Sequence, residues 1–154
     1  MAINIGIQTG WPIETLSNFA ATTFVIDFVQ CASVEGFIQA LKFSSQERQK
    51  QVCGLVGREA KFAGKKAGKK IQREGKVWWR GIGIEFRSRA HFDLIERALR
   101  AKFTQCEKAK EALLSTQNEV LTHDLGHPES PHTSLPAQEF IRILIKIRKV
   151  LQDA

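Results

Sequence analysis

Glu35, Gln39 and Lys42 are separated by four and three residues within the stretch Ser33-Val-Glu-Gly-Phe-Ile-Gln-Ala-Leu-Lys-Phe43. On a helix that spacing stacks their side chains along one face. Val34, Phe37, Ile38 and Leu41 mark the buried side, and Ser33 is placed to cap the free N–H groups of the first turn. The polar strip carries a carboxylate and an amine, Glu35 and Lys42, as its reactive ends, with an amide between them. The solvated face of an ordinary amphipathic helix shows the same pattern, so spacing alone leaves both readings open.

Two further groups of residues could bear chemistry. The polar stretch from His123 and Asp124 through His127 to His132 suggests metal at first sight, but its histidines lack the spacing of the helical His pairs in zinc hydrolases, and no Cys assists. A His–Asp pair that binds a ligand or orders the loop suits it better. Trp78 and Trp79 precede Arg80. Strand alternation would point one ring to the core and one outward, where it could stack on a base beside cations; both rings packing in the core is the competing arrangement. Gly64-Lys-Lys-Ala-Gly-Lys-Lys70 lacks the order of a phosphate loop, and neither GxGxxG nor GxSxG occurs, which disfavours ATPase, dehydrogenase and serine-hydrolase chemistry.

The elements that must position these residues come from an ordinary globular composition. The chain has 154 residues, 43% hydrophobic and 25% charged, with ten Phe, three Trp and no Tyr. A domain of this length buries roughly two-thirds of the surface its unfolded chain exposes, enough for a core without staples. No apolar run approaches the roughly 20 residues that span a bilayer, and no Lys or Arg precedes an apolar N-terminal core as in a secretory signal. Cys31, Cys53 and Cys106 form no CxxC pair and read as reduced thiols of a cytoplasmic protein that engages no membrane. The net charge is +7, and eight basic residues against Glu74 between Lys61 and Arg80 carry the whole excess. Such a segment can steer phosphate, or simply be a solvated loop.

The pattern predicts irregular chain over 1–20, a strand over 22–29, a helix over 34–43 and a second over 47–63, weakened by Gly54 and Gly57. Gly64, Gly68 and Gly75 break the basic segment into loop or short pieces, and 77–86 forms one or two short strands. A long helix covers 91–114, a polar loop 118–136, and Pro136 opens a last helix carrying Phe140, Leu144, Ile147 and Leu151 on one face. With no internal repeat and no linker, 1–154 reads as a single α+β domain, mostly helical with a few short strands.

Several of these segments together resemble the NADAR family (YbiA-like N-glycosidases). Leu16-Ser-Asn-Phe19 followed by Ser33–Phe43 resembles the family's SNF turn and its S/T-V-E-H-Y-F-Q-A-x-K-F helix. Arg97–Phe103 is similar to its A-L-x-x-K-F helix, Leu113-Leu-Ser-Thr116 with Leu121 to its L-L-x-T-G-x-x-x-L element, and Ile143–Arg148 to its closing L-M-x-x-R helix. Four departures stand out. Gly36 replaces the family His, Gln117 the Gly after Thr, and His123 the acid after the L-V pair; His127–Pro136 replaces the terminal W-G…G-x-N-x-L-G stretch.

The resemblance implies a compact, mostly helical α+β fold and hydrolysis of an N-glycosidic bond without cofactor or metal. One branch of the family acts on phosphorylated riboflavin-pathway intermediates; another removes ADP-ribose from guanine as the antitoxin to DarT-type toxins. The basic segment favours the second, with ADP-ribosylated guanine nucleotide or nucleic acid as substrate and a DarT-type toxin as functional counterpart. The riboflavin branch and a non-catalytic nucleotide-binding module are the alternatives. By the same resemblance Glu35 would stabilise positive charge at the anomeric carbon or activate water, and Lys42 would serve as acid or Schiff-base amine. Asn18 and Gln39 would hold ribose hydroxyls, Phe19 or Trp79 would stack on the base, cations from Lys65 to Arg80 would meet phosphates, and Asp124 or His123 would stand in for the missing acid.

Overall fold

A computed structural model describes residues 2–154. In chain order the elements are β1 (Ala2–Asn4), α1 (Ile13–Leu16), β2 (Phe24–Ile26), β3 (Val29–Cys31), α2 (Val34–Ala40), α3 (Gln46–Cys53), α4 (Gly57–Lys65) and α5 (Ala67–Glu74). They continue with β4 (Lys76–Trp79), β5 (Ile82–Glu85), α6 (Arg89–Gln105), α7 (Glu107–Ser115), β6 (Val120–Thr122) and α8 (Ala137–Gln152). The strands form three two-stranded sheets: β1 with β6 in parallel, and the hairpins β2–β3 and β4–β5. Helix α6 packs against α2, α7 and α8. Phe37, Leu41, Ile95, Leu99, Phe103 and Phe140 are among the fully buried side chains of the core they share. No described helix is long and apolar enough to cross a membrane. This is the mixed, mostly helical α+β architecture expected, and the short helix α2 lies at its centre.

The start of α2 is set by one hydroxyl. Ser33 Oγ accepts the Gly36 N–H at 3.0 Å and donates to the Leu55 carbonyl at 2.8 Å, so it caps α2 and ties it to the joint between α3 and α4. Gly36 stands at the same crossing. A Cβ there would sit 2.7 Å from the Leu55 carbonyl oxygen and 2.9 Å from that of Val52, and backbone cannot swing aside as a side-chain tip can. This close approach is why a bulky residue has no room at position 36. Gly36→Ala is expected to destabilise the protein by about 1–3 kcal/mol, the usual cost of overpacking; urea unfolding measures it, and an unchanged midpoint would show that α2 and α3 can separate freely.

Several boundaries differ from those the sequence predicts. The strand over 22–29 is a hairpin: Asp27 and Phe28 turn the chain with φ of 48° and 67°, and Ile26 pairs with Val29. Neither residue signals such a turn as Gly would; the turn is held tertiarily, because the Asp27 carboxylate accepts the Trp79 indole N–H at 2.8 Å and pairs with Arg97. The helix over 47–63 divides at Gly54–Val56 into α3 and α4. The basic segment, expected as loop or short pieces, forms the short helices α4 and α5, the second ending at Gly75 in a left-handed cap with φ of 67°. The helix over 91–114 divides at Cys106, whose backbone is extended, into α6 and α7. The irregular N-terminus holds β1 and α1, and the polar loop holds β6; three-residue strands are too short for alternation to reveal them, and β1–β6 pairing spans nearly the whole chain.

Candidate active site

The turn before α2 is anchored from below. Lys102 of α6 is fully buried, and its Nζ donates to the carbonyls of Leu16 at 3.3 Å and Ser17 at 3.0 Å, the free acceptors at the end of α1. Burial brings its ammonium down to about 7. From the next residue, the Asn18 carbonyl accepts the Glu35 N–H at 2.9 Å. Lys102 and Asn18 thus couple α6 to the first turn of α2, where Glu35 sits.

The helix expected over 34–43 ends at Ala40, so Lys42 lies in the turn that follows, and the strip of Glu35, Gln39 and Lys42 is turned inward. Glu35 and Lys42 are half-buried and Gln39 is only 7% exposed, which is not the pattern of a solvated face. Gln39 Nε2 donates to Glu35 Oε1 at 2.7 Å. Gln39 Oε1 lies over Gly64 of α4, where a Cβ would come within 1.8 Å of it, so a side chain there would displace the Gln39 amide. Loss of water raises the Glu35 carboxyl above its ordinary value, opposed by the Gln39 hydrogen bond and the charges of Lys42 and Lys61. Burial lowers the Lys42 ammonium; Lys61 pushes in the same direction and Glu35 against it. A carboxylate and an amine thereby share one environment that weakens the charged form of each.

Other residues complete this environment. Lys61 lies one turn before Gly64, on the face of α4 that meets Gln39. His91 opens α6 and is fully buried; its Nδ1 accepts the Arg87 N–H at 2.9 Å, and burial with the nearby charges of Arg87 and Lys42 holds it down to about 4. Asn18 Oδ1, Gln39 Oε1 and His91 Nε2 are all sealed from solvent without a hydrogen-bond partner. Buried polar atoms are normally paired; His123 Nδ1 and Ser134 Oγ share this state elsewhere in the fold.

The remaining expected residues are distributed differently. Phe19 adjoins Asn18 and is 39% exposed. Trp79, expected to stack on a base, is 6% exposed; it meets Phe37 edge-on at 4.9 Å between centroids and gives its indole N–H to Asp27, so its ring belongs to the apolar side of α2. Arg80 occupies the β4–β5 turn with φ of 52°, and it lines a cavity of about 190 Å³ with Phe28, Gln46 and Lys50, away from the polar strip. His123 packs edge-on against Phe140 at 5.2 Å. Asp124 is exposed, orders its loop by accepting the Gly126 N–H at 2.8 Å, and exchanges backbone hydrogen bonds with the Asn4 side chain. Both stand at the end of β6, held by Phe140 and Asn4. Among the described residues no three His, Cys, Asp or Glu gather as metal ligands.

Sequence reasoning did not single out Lys61, His91 or Lys102 as residues of the site. Lys61 was one charge in a run, His91 one residue of a helix, and Lys102 part of a resemblance; only packing distinguishes them.

The fold is that of a YbiA-like α+β domain. The structure aligns with the NMR structure of Escherichia coli YbiA with a TM-score of 0.67 and 20% identity, covering 99% of this chain and 85% of that one. Residues 10–149 match the model of the family described as bacteriophage protein GP30.3, and the chain belongs to that family. A 17.1 kDa protein from the Gp30-rIII intergenic region of Enterobacteria phage T4 is 32% identical over 142 residues, 92% of this chain and 93% of that protein.

Proposed function

We propose that the protein is an N-glycosidase that cleaves the bond between ADP-ribose and a guanine base. The observation that carries this reading is the half-buried pair of Glu35, in the first turn of α2, and Lys42, just past its end, each altering the other's ionisation. Breaking a sugar–nitrogen bond builds positive charge at the anomeric carbon, which a carboxylate at Glu35 stabilises. An uncharged Lys42 amine adds to that carbon as the bond to the base breaks, and the base leaves with a proton. Water then hydrolyses the lysine adduct, releasing ADP-ribose and restoring the free amine. Asn18 and Gln39 border the sugar, Phe19 adjoins the base, and Lys61 with the exposed cations of α4 and α5 faces the phosphates.

The basic helices favour a polyanion over a small phosphorylated sugar. Incubation with an oligonucleotide carrying ADP-ribosylated guanine, followed by mass spectrometry, tests the proposal: free ADP-ribose and restored guanine are expected. Cleavage of phosphorylated riboflavin intermediates alone would assign the chain to that chemistry instead, and cleavage of neither would make it a nucleotide-binding module. A role as the counterpart of a DarT-type toxin predicts that co-expression relieves that toxin's growth arrest.

A further inference from the structure

His91 sits in the first turn of α6 between the rings of Phe86 and Phe92, with centroids 5.5 and 6.0 Å away. Its Nδ1 is committed as an acceptor to the Arg87 N–H. A neutral imidazole that accepts at one nitrogen carries its proton on the other, so Nε2 is a donor. That donor is shut off from solvent and meets no acceptor among the described residues. Folded proteins seldom leave a buried N–H unmade, because its lost hydration is not repaid. Helix α6, which carries His91, packs against α2, so this spare donor sits on an element that borders the polar strip. Asn18 Oδ1, a spare acceptor equally sealed, is tied to the Glu35 end by the backbone bond between Asn18 and Glu35.

We propose that His91 is a substrate-binding residue whose Nε2–H donates to a ribose hydroxyl oxygen, with Asn18 Oδ1 accepting from a second hydroxyl near Glu35. A hydroxyl both donates and accepts, so a vicinal pair suits one donor and one acceptor. The inference rests on the glycosidase reading only in that the ligand is a riboside. Because His91 stays neutral, it binds and orients and does not act as a general acid near neutral pH.

Two variants separate the ring's nitrogens. His91→Asn keeps an oxygen near the Nδ1 position to accept from Arg87 but has no Nε2–H; His91→Gln places an amide N–H near the Nε2 position. His91→Asn is expected to melt close to the wild-type temperature yet bind ribose 5-phosphate and ADP-ribose about tenfold more weakly, the size of one neutral hydrogen bond, and His91→Gln to recover part of the loss. In the ¹⁵N-labelled wild type, the His91 Nε2–H resonance, assigned through its couplings to the ring protons, is expected to shift with either ligand. The wild-type resonance decides the matter even if His91→Asn fails to fold. No shift with either ligand, or wild-type affinity in a folded His91→Asn, overturns the inference. A shift without cleavage of ADP-ribosylated guanine would overturn the proposed function and leave His91 standing; cleavage with an unmoved resonance would do the reverse.

Discussion

Replacing Glu35 with glutamine is expected to slow release of guanine by about a hundredfold, in line with the roughly 2.7–4 kcal/mol that one preorganised electrostatic group contributes to a transition state. Glutamine retains the oxygen that accepts the Gln39 amide and fills the same volume, so the melting temperature should hold. What disappears is the negative charge that answers the cation forming at the anomeric carbon. The pH profile carries an independent signature. Burial raises the Glu35 carboxyl above its ordinary value, and the ionised form is the active one. Activity is therefore lost on acidification through a midpoint above the ordinary glutamate value, and that acid limb is absent from Glu35→Gln. Full activity in this variant would remove Glu35 from the chemistry.

Lys42→Arg is expected to lower the rate by at least about a hundredfold, the lower end of what a positioned proton donor supplies, and further still where the amine is the nucleophile. Arginine keeps the positive charge but does not lose its proton in a protein, so it separates a need for charge from a need for a free amine. Borohydride added during turnover should trap a covalent sugar adduct in the wild type and none in Lys42→Arg; absence of an adduct in the wild type would leave Lys42 as acid and water as nucleophile. Burial and Lys61 lower the Lys42 ammonium from 10.5, so the neutral fraction, and with it the rate, rises with pH and levels off below that value. Lys61→Gln removes one cause of the lowering. Its profile should move toward higher pH, and an unmoved midpoint would show that Lys61 does not act on Lys42.

Which features were legible in the sequence follows from the range of the forces behind them. The Ser33 cap, the apolar stripe of α2 and the spacing of Glu35, Gln39 and Lys42 are settled within one or two turns, by a hydroxyl three residues from its N–H partner and by helical geometry. The β4–β5 hairpin carried its own turn residue in Gly81. The β2–β3 turn did not: Asp27 and Phe28 bend because Trp79 and Arg97 hold the carboxylate, and both are distant in sequence. Cys106 interrupts α6 and α7 inside an unbroken apolar periodicity, so no local pattern announced the break.

The chain alone determined that a carboxylate, an amide and an amine recur at helical spacing, and that the whole net charge lies between Lys61 and Arg80; both depend only on the order of residues. Tertiary packing decided that this strip turns inward, because α4 closes over it through the Gly64–Gln39 approach and α6 packs against α2. It also drew Trp79 into the core and left His123 and Asp124 at the end of β6. Burial, unlike spacing, depends on which distant segment arrives to exclude water, and the residue sequence of a single helix does not contain that information.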